Sequence, residues 1–265
     1  MRIMMKTAET PEGTVAYRCN EMPGAVTLVF VHGLGGDSKL FHNQLRVFGR
    51  NFRVIAVDLP GHGKSAWKAA PGIEEYVSSV LDVLKRESVG ECVLIGHSMG
   101  GGVCLDLQSR IDGLLAMVLI SAGAVLPVAR ELFDMLERDV DFFIDYFINA
   151  TFSQNAALLS SFAKIGFGEQ ERITVRRDLE ICKTMDYSCV LPGISVPVLV
   201  IANRRDRVVP PHITSFLADR IPGARYIEFD CEGHIPHFDH KELFNEALGS
   251  FLAKAVAGIT MDNIS

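Results

Sequence analysis

The stretch Leu94-Ile95-Gly96-His97-Ser98-Met99-Gly100-Gly101-Gly102 decides how this chain is read. It opens with the apolar run Cys92-Val93-Leu94-Ile95, the pattern of a buried strand. After the serine, Met99 to Arg110 carries helical spacing. Strand, Gly-x-Ser-x-Gly turn and helix are the setting in which this pentapeptide presents a serine on a strained elbow. Crowding explains the glycines. Gly96 and Gly100 leave no Cβ where strand and helix meet, and Gly101 and Gly102 extend the small surface. Each of the three helical glycines costs roughly 1 kcal/mol of helix propensity relative to alanine, which a need for close approach would justify. Taken alone, the stretch could also be a plain Gly-rich turn.

Working outward, buried strands are expected at 26–31, 53–57, 114–120 and 196–202, an early strand at 15–18 and a last one at 224–229. Helical spacing lies between them: 40–48, 73–84 with apolar residues on one face, and about 241–257, where Asp239 and Glu242 have capping-box spacing. Strands alternating with helices argue an α/β fold, a mostly parallel sheet with helices on both faces. From 126 to 191 the alternation stops. Apolar residues fall at helical spacing, eight aromatics concentrate there from Phe133 to Phe167, and Gly168–Arg172 reads as a polar turn before a helix at 173–185. Such a length exceeds an ordinary crossover and is expected to be an inserted helical lid that walls a pocket. The expected organisation is therefore core 1–125, lid (cap) 126–191, core 192–265.

Composition bounds the rest. The 265 residues suffice for one α/β domain with an insertion, and 48% hydrophobic with 22% charged content is that of a folded globule. A net charge of −6 without basic clusters excludes a nucleic-acid surface. No run long enough for a membrane span and no apolar leader at the N-terminus are expected. Six cysteines form no C-x-x-C pair; several lie in apolar runs and read as small buried hydrophobes in a reducing, cytoplasmic setting, and no metal or organic cofactor is implied.

Three residues stand after core strands: Ser98, Asp206 and His234. A serine hydroxyl is a weak nucleophile until a base takes its proton, and His234 would be that base. The imidazolium then needs a carboxylate behind it, here Asp206. Rivals exist. His237 is the most serious for the base, His97 and His32 are expected to be structural, and His62 is expected to be a surface loop histidine. Asp230 and Asp239 compete for the acid. Asp206 is preferred because it follows the apolar strand and precedes Val208-Val209-Pro210.

The order Ser, Asp, His, the loop His32-Gly33-Leu34-Gly35-Gly36 after a buried strand, and Asp58-Leu59-Pro60-Gly61-His62-Gly63-Lys64-Ser65 together resemble the α/β-hydrolase superfamily over nearly the whole chain. Small lidded esterases, enol-lactonases and carbon–carbon bond hydrolases are the nearest in pattern. The resemblance implies an α/β-hydrolase fold and a backbone oxyanion hole built from the N–H groups of Leu34 and Met99. It also favours Gly233-His234, straight after a strand, as the base. Within the Asp58 loop the expected role is structural, with the Asp58 carboxylate accepting from nearby backbone N–H groups.

The function expected is hydrolysis of a small ester, lactone or thioester with a mostly apolar acyl group, by way of an acyl-enzyme on Ser98. One alternative is carbon–carbon bond hydrolysis of a β-diketone-type acid. That would want a cation in the pocket, with Arg130, Arg138, Lys164, Arg172 and Arg176 as candidates. The other is a small-ligand binding or signalling protein on the same fold. Dehalogenase chemistry would need Asp in place of Ser98. Substrate identity and oligomeric state are not legible from spacing.

Overall fold

Side-chain alternation along the central strands sorts the core into two layers. In β3 (Thr27–Val31) every residue is buried; Leu28 and Phe30 face one layer, Val29 and Val31 the other. The computed structural model describes residues 2–11, 13–66 and 72–256. In chain order they form strands β1 (Met4–Thr10), β2 (Gly13–Cys19) and β3, helix α1 (His42–Phe48), β4 (Arg53–Val57), α2 (Ile73–Arg86), β5 (Cys92–His97), α3 (Met99–Leu107) and β6 (Leu114–Ile120). Four helices follow: α4 (Arg130–Arg138), α5 (Val140–Thr151), α6 (Ala156–Gly166) and α7 (Glu169–Thr184). The chain then returns with β7 (Val198–Arg205), α8 (Pro211–Arg220), β8 (Arg225–Glu232), the short turn α9 (Pro236–Asp239) and α10 (Lys241–Ala255).

The sheet has eight strands in the order β1-β2-β4-β3-β5-β6-β7-β8, parallel from β4 onward and antiparallel at the β1 and β2 edge. Helices α2, α3 and α8 cover one face, α1 and α10 the other. This is the mostly parallel sheet with helices on both faces expected from the alternation, and the α/β-hydrolase fold that the resemblance implies. Strand β1 was not legible. Only Ala8 and Thr10 of its residues are buried, so its apolar signal is faint, and pairing with β2 is what makes it a strand.

Between β6 and β7 the chain is helical, as the spacing predicts. Leu136, Phe143, Ile144, Val175 and Leu179 give α4, α5 and α7 an apolar cluster of their own. An isolated antiparallel bridge, Val125 to Asp186, ties the two ends of this segment together. Helix α7 begins at Glu169, so the expected polar turn at 168–172 is largely its first turn. The reason is local: Glu171 Oε2 accepts from the Gly168 N–H at 2.9 Å, a cap that starts the helix early. The expected Asp239–Glu242 cap does not form. Asp239 is turned toward α5 and accepts from Ser153 N and Oγ, while His240 occupies the N-cap position of α10. Ala257, the last residue expected in that helix, lies outside the described residues. Four cysteines are buried as expected, but Cys189 is exposed and Cys231 half-buried.

Close approach of α3 to the sheet can be tested at Gly100, where an added Cβ would lie 2.4 Å from Val31 O and 2.5 Å from His32 O. Neither backbone atom can yield. Gly100→Ala is expected to destabilise the fold by at least the upper end of the usual overpacking cost, about 1–3 kcal/mol. Gly90→Ala, with nothing within 4 Å of the new carbon, is expected to change stability by less than about 0.5 kcal/mol. Thermal melts of the two variants check the contrast.

Candidate active site

Ser98 joins β5 to α3 with φ 53° and ψ −120°, a conformation that non-glycine residues rarely hold. Its surroundings enforce it. The Ser98 N–H donates to Ile120 O at 2.9 Å, and its carbonyl accepts from Gly101 N at 2.8 Å. On the strand side, a Cβ at Gly96 would meet Gly100 O at 2.4 Å, so the turn closes tightly around the serine. Ser98 Oγ makes no hydrogen bond among the described residues, and the residue lines a cavity that His234 also lines.

Asp206 follows β7 and His234 follows β8, so both stand at the same carboxyl-terminal edge of the sheet as Ser98. His234 Nδ1 donates to Asp206 Oδ2 at 2.8 Å, and both side chains are buried. The other carboxylate oxygen, Oδ1, accepts from Val208 N and Val209 N at 2.8 and 2.9 Å. Asp206 is thereby fixed in orientation, which in turn fixes the His234 tautomer: Nδ1 carries a proton and Nε2 is left for another partner.

The loop bearing His234 is held by residues that sequence spacing did not mark. The His234 N–H donates to Thr151 O of α5 at 2.7 Å, and Asn203 Nδ2 donates to Gly233 O at 2.8 Å. His97 turns its ring against that of His234 and donates from Nε2 to the His234 carbonyl at 3.0 Å. His237, the chief rival, is stacked on Phe41 with neither ring nitrogen hydrogen-bonded. Asp230 is paired with Arg204 and Arg205 on the exposed strand end, and Asp239 binds Ser153.

After β3, the loop His32–Gly36 passes beside the elbow so closely that a Cβ on Gly33 would lie 2.9 Å from Ser98 Cβ. The Leu34 N–H has no partner among the described residues. Nor does that of Met99, the first residue of α3, where helix geometry leaves donors free. Behind the loop His32 Nε2 accepts from Leu59 N at 3.0 Å, so Nδ1 carries the proton and donates to Gly33 O at 2.8 Å. Asp58 accepts from Ser38 N and Lys64 N, the structural role expected of it.

His62 is not the surface histidine expected. It is buried, and its Nε2 donates to Asp178 Oδ2 at 2.8 Å from across the molecule. Asp178, fully buried on α7, also accepts from Tyr76 Oη at 2.6 Å and Gly35 N at 3.0 Å. A loop of polar and glycine residues looks exposed in sequence; here α7 covers it. Burial lowers the His62 pKa, but the charge and hydrogen bond of Asp178 outweigh that and raise it.

The cavity at Ser98 is small, about 80 Å³, and mainly apolar. It shares Leu34, Leu40, Phe147, Thr151 and Ile235 with a second cavity of about 380 Å³. The second is walled by aromatic and aliphatic side chains of α5, α6 and α7, with Asp37 and Lys39 as its charged members. Lys39 is paired with Asp37. None of Arg130, Arg138, Lys164, Arg172 and Arg176 lines either cavity. Lys164, Arg172 and Arg176 are paired to Asp145, Glu169 and Glu137 instead.

Comparison with known proteins follows the same lines. A family model described as the alpha/beta hydrolase family matches residues 28–247. A putative carbamate hydrolase RutD of Pantoea ananatis is 26% identical over 247 residues, spanning 87% of this chain and 89% of that one. A pimeloyl-[acyl-carrier protein] methyl ester esterase of Neisseria meningitidis is 24% identical over 245 residues, spanning 84% of this chain and 92% of that one. Among solved structures, that of a thermophilic esterase superposes with a TM-score of 0.83 at 25% identity, covering 96% of this chain and 99% of that one.

The buried histidines set an acid limit on the fold. Burial, with the neighbouring imidazoles, pushes His237 down to about 3 and His32 to about 4, and holds His97 well below its ordinary value. The unfolded chain takes up protons at these three positions near 6.5 and the folded one does not, so stability is lost as pH falls below that value. His62 has the opposite sign: its raised value adds stability below about 6.5, lost as pH rises through the folded value. His237→Phe, which keeps a ring against Phe41, is expected to flatten the fall of Tm between about pH 6.5 and pH 4. Circular-dichroism melts across that range check it, and an unchanged slope would contradict a buried neutral imidazole.

Proposed function

The chain belongs to the alpha/beta hydrolase family, and from that premise we propose that it is a serine hydrolase of carboxylic esters, lactones or thioesters, with Ser98 as nucleophile. The observation that carries this reading is the strained Ser98 facing a cavity shared with His234, whose Nδ1 is engaged by buried Asp206. A backbone held at φ 53° serves no packing purpose that a glycine would not serve better. The strain favours catalysis over passive ligand binding.

In this mechanism His234 Nε2 takes the Ser98 proton as Oγ attacks the carbonyl carbon. Charge moves to the carbonyl oxygen, which accepts from Leu34 N–H and Met99 N–H; one such donor contributes roughly 3–4 kcal/mol to the transition state. Asp206 offsets the imidazolium charge. His234 then returns the proton to the departing alkoxide or thiolate as the carbon–oxygen or carbon–sulfur bond breaks. Water, deprotonated by the same nitrogen, releases the acid from the acyl-enzyme.

The residues 126–191 act in this reading as a cap over the cavity, and the apolar walls they contribute suit an uncharged acyl or alcohol limb. Named activities of the relatives, on a carbamate and on a methyl ester, fall in the same class of acyl transfer to water. Carbon–carbon bond hydrolysis of a diketone acid is the weaker reading. The cations it would use line neither cavity, and Lys39 is already neutralised by Asp37.

Ser98→Ala is expected to lower turnover of p-nitrophenyl acetate and butyrate by at least about a thousandfold while the thermal melt stays cooperative. A fluorophosphonate probe should label the native chain once, at Ser98, and leave the variant unmodified. Retained turnover in the folded variant would sink the assignment. Across p-nitrophenyl acetate, butyrate and octanoate, kcat/KM is expected to rise as the limb fills the larger cavity; a flat or falling series would contradict its use.

A further inference from the structure

We infer that Asp178, contributed by helix α7, is a positioning residue for the Leu34 amide and makes the oxyanion hole depend on the placement of the inserted helices. The inference rests on the reading of Leu34 N–H as an oxyanion donor.

The loop that carries this donor has a backbone with wide conformational choice, since Gly33, Gly35 and Gly36 surround Leu34. Gly35 has φ +63°, one of several conformations open to glycine. Direction at a hydrogen-bond donor matters as much as its presence, so something must hold both peptide planes that flank Leu34. The upstream plane contains Gly33 C=O and Leu34 N–H. Its oxygen accepts from His32 Nδ1 at 2.8 Å and Gly36 N at 3.1 Å. The downstream plane contains Gly35 N–H, which donates to Asp178 Oδ2 at 3.0 Å across 143 residues of sequence. With both planes pinned, Leu34 has no freedom left to turn its N–H away.

Packing does not account for a carboxylate at this place. An apolar side chain would seat α7 on the core without the desolvation cost of a fully buried charge. Asp178 instead arrives with two further donors, His62 Nε2 at 2.8 Å and Tyr76 Oη at 2.6 Å. His62 Nδ1 donates to Pro60 O at 3.2 Å, so that ring is held at both nitrogens. The carboxylate therefore links α7 to three core elements: the loop after β3, the loop after β4, and helix α2. A displacement of α7 would strip the Gly35 N–H of its acceptor and free the downstream plane, leaving the donor peptide held from one side alone.

The test compares the wild type with Asp178→Leu, which keeps branch and bulk but no acceptor, and with Val83→Ala, a fully buried change on α2 remote from the loop. Three readouts are taken: Tm, kcat and KM for p-nitrophenyl acetate, and inhibition by phenylboronic acid, whose adduct with serine carries a tetrahedral oxyanion. Asp178→Leu is expected to lower kcat about ten- to a hundredfold with KM within about threefold, and to weaken the boronic acid in parallel with kcat. Val83→Ala is expected to lower Tm without either change. Should Asp178→Leu fail to fold, Asp178→Leu/His62→Phe removes both buried charges together and carries the same expectation. A folded variant with kcat and boronic-acid affinity near wild type overturns the inference. So does a loss of kcat without loss of boronic-acid binding. Ser98→Ala, run alongside, separates the two levels: activity surviving there refutes the serine mechanism itself, whatever Asp178 does.

Discussion

A β-carbon on Gly100 would sit 2.4 Å from the carbonyl oxygen of Val31, and the site depends on that lack of room. Because helix α3 can come this close to the end of β3, its first N–H groups emerge beside the His32–Gly36 loop. The same crowding forces Ser98 into its unusual backbone conformation and turns its hydroxyl toward the cavity. Gly33 repeats the constraint from the other side, with Ser98 Cβ against the place its own side chain would take. Strand end, loop and helix start are one steric unit, and none of the three can be moved without the others.

Around that unit the buried polar groups divide into two sets. On one side lie the rings of His97, His234 and His237; burial, with the neighbouring imidazoles, holds His97 and His237 well below the ordinary histidine value. Asp206 meets His234 at Nδ1. On the other side His62, Tyr76 and Asp178 form a saturated buried cluster. The inserted helices reach both sets, through Thr151 O to the His234 N–H and through Asp178 to the Gly35 N–H. They are joined by hydrogen bonds to the loops that bear His234 and Leu34.

Much of this was legible beforehand because it is local. Runs such as Val26–Val31 and Leu114–Ile120 announce strands buried on both faces, and the elbow announces itself through the glycines that its crowding requires. The helices between Arg130 and Thr184 were readable from period. Strand β1 was not, since an edge strand that buries two residues carries little hydrophobic pattern. The start of α7 was missed because Glu171 caps its own helix, so polar residues that look like a turn belong to the first helical turn.

What residue order determined by itself was a mostly parallel sheet with helices on both faces and the naming of Ser98, Asp206 and His234 as candidates at the ends of three core strands; the α/β-hydrolase plan came with the family resemblance of their motifs. Periodicity and steric demand act between neighbours, so they are written where they act. Tertiary structure decided which buried polar groups meet: His62 with Asp178 across 116 residues, Gly35 with Asp178 across 143, His97 with the His234 carbonyl across 137. A hydrogen bond has no period and leaves no trace along the chain. Its partner is set by where the folded layers bring two groups within 3 Å, and only after burial does each such group require one.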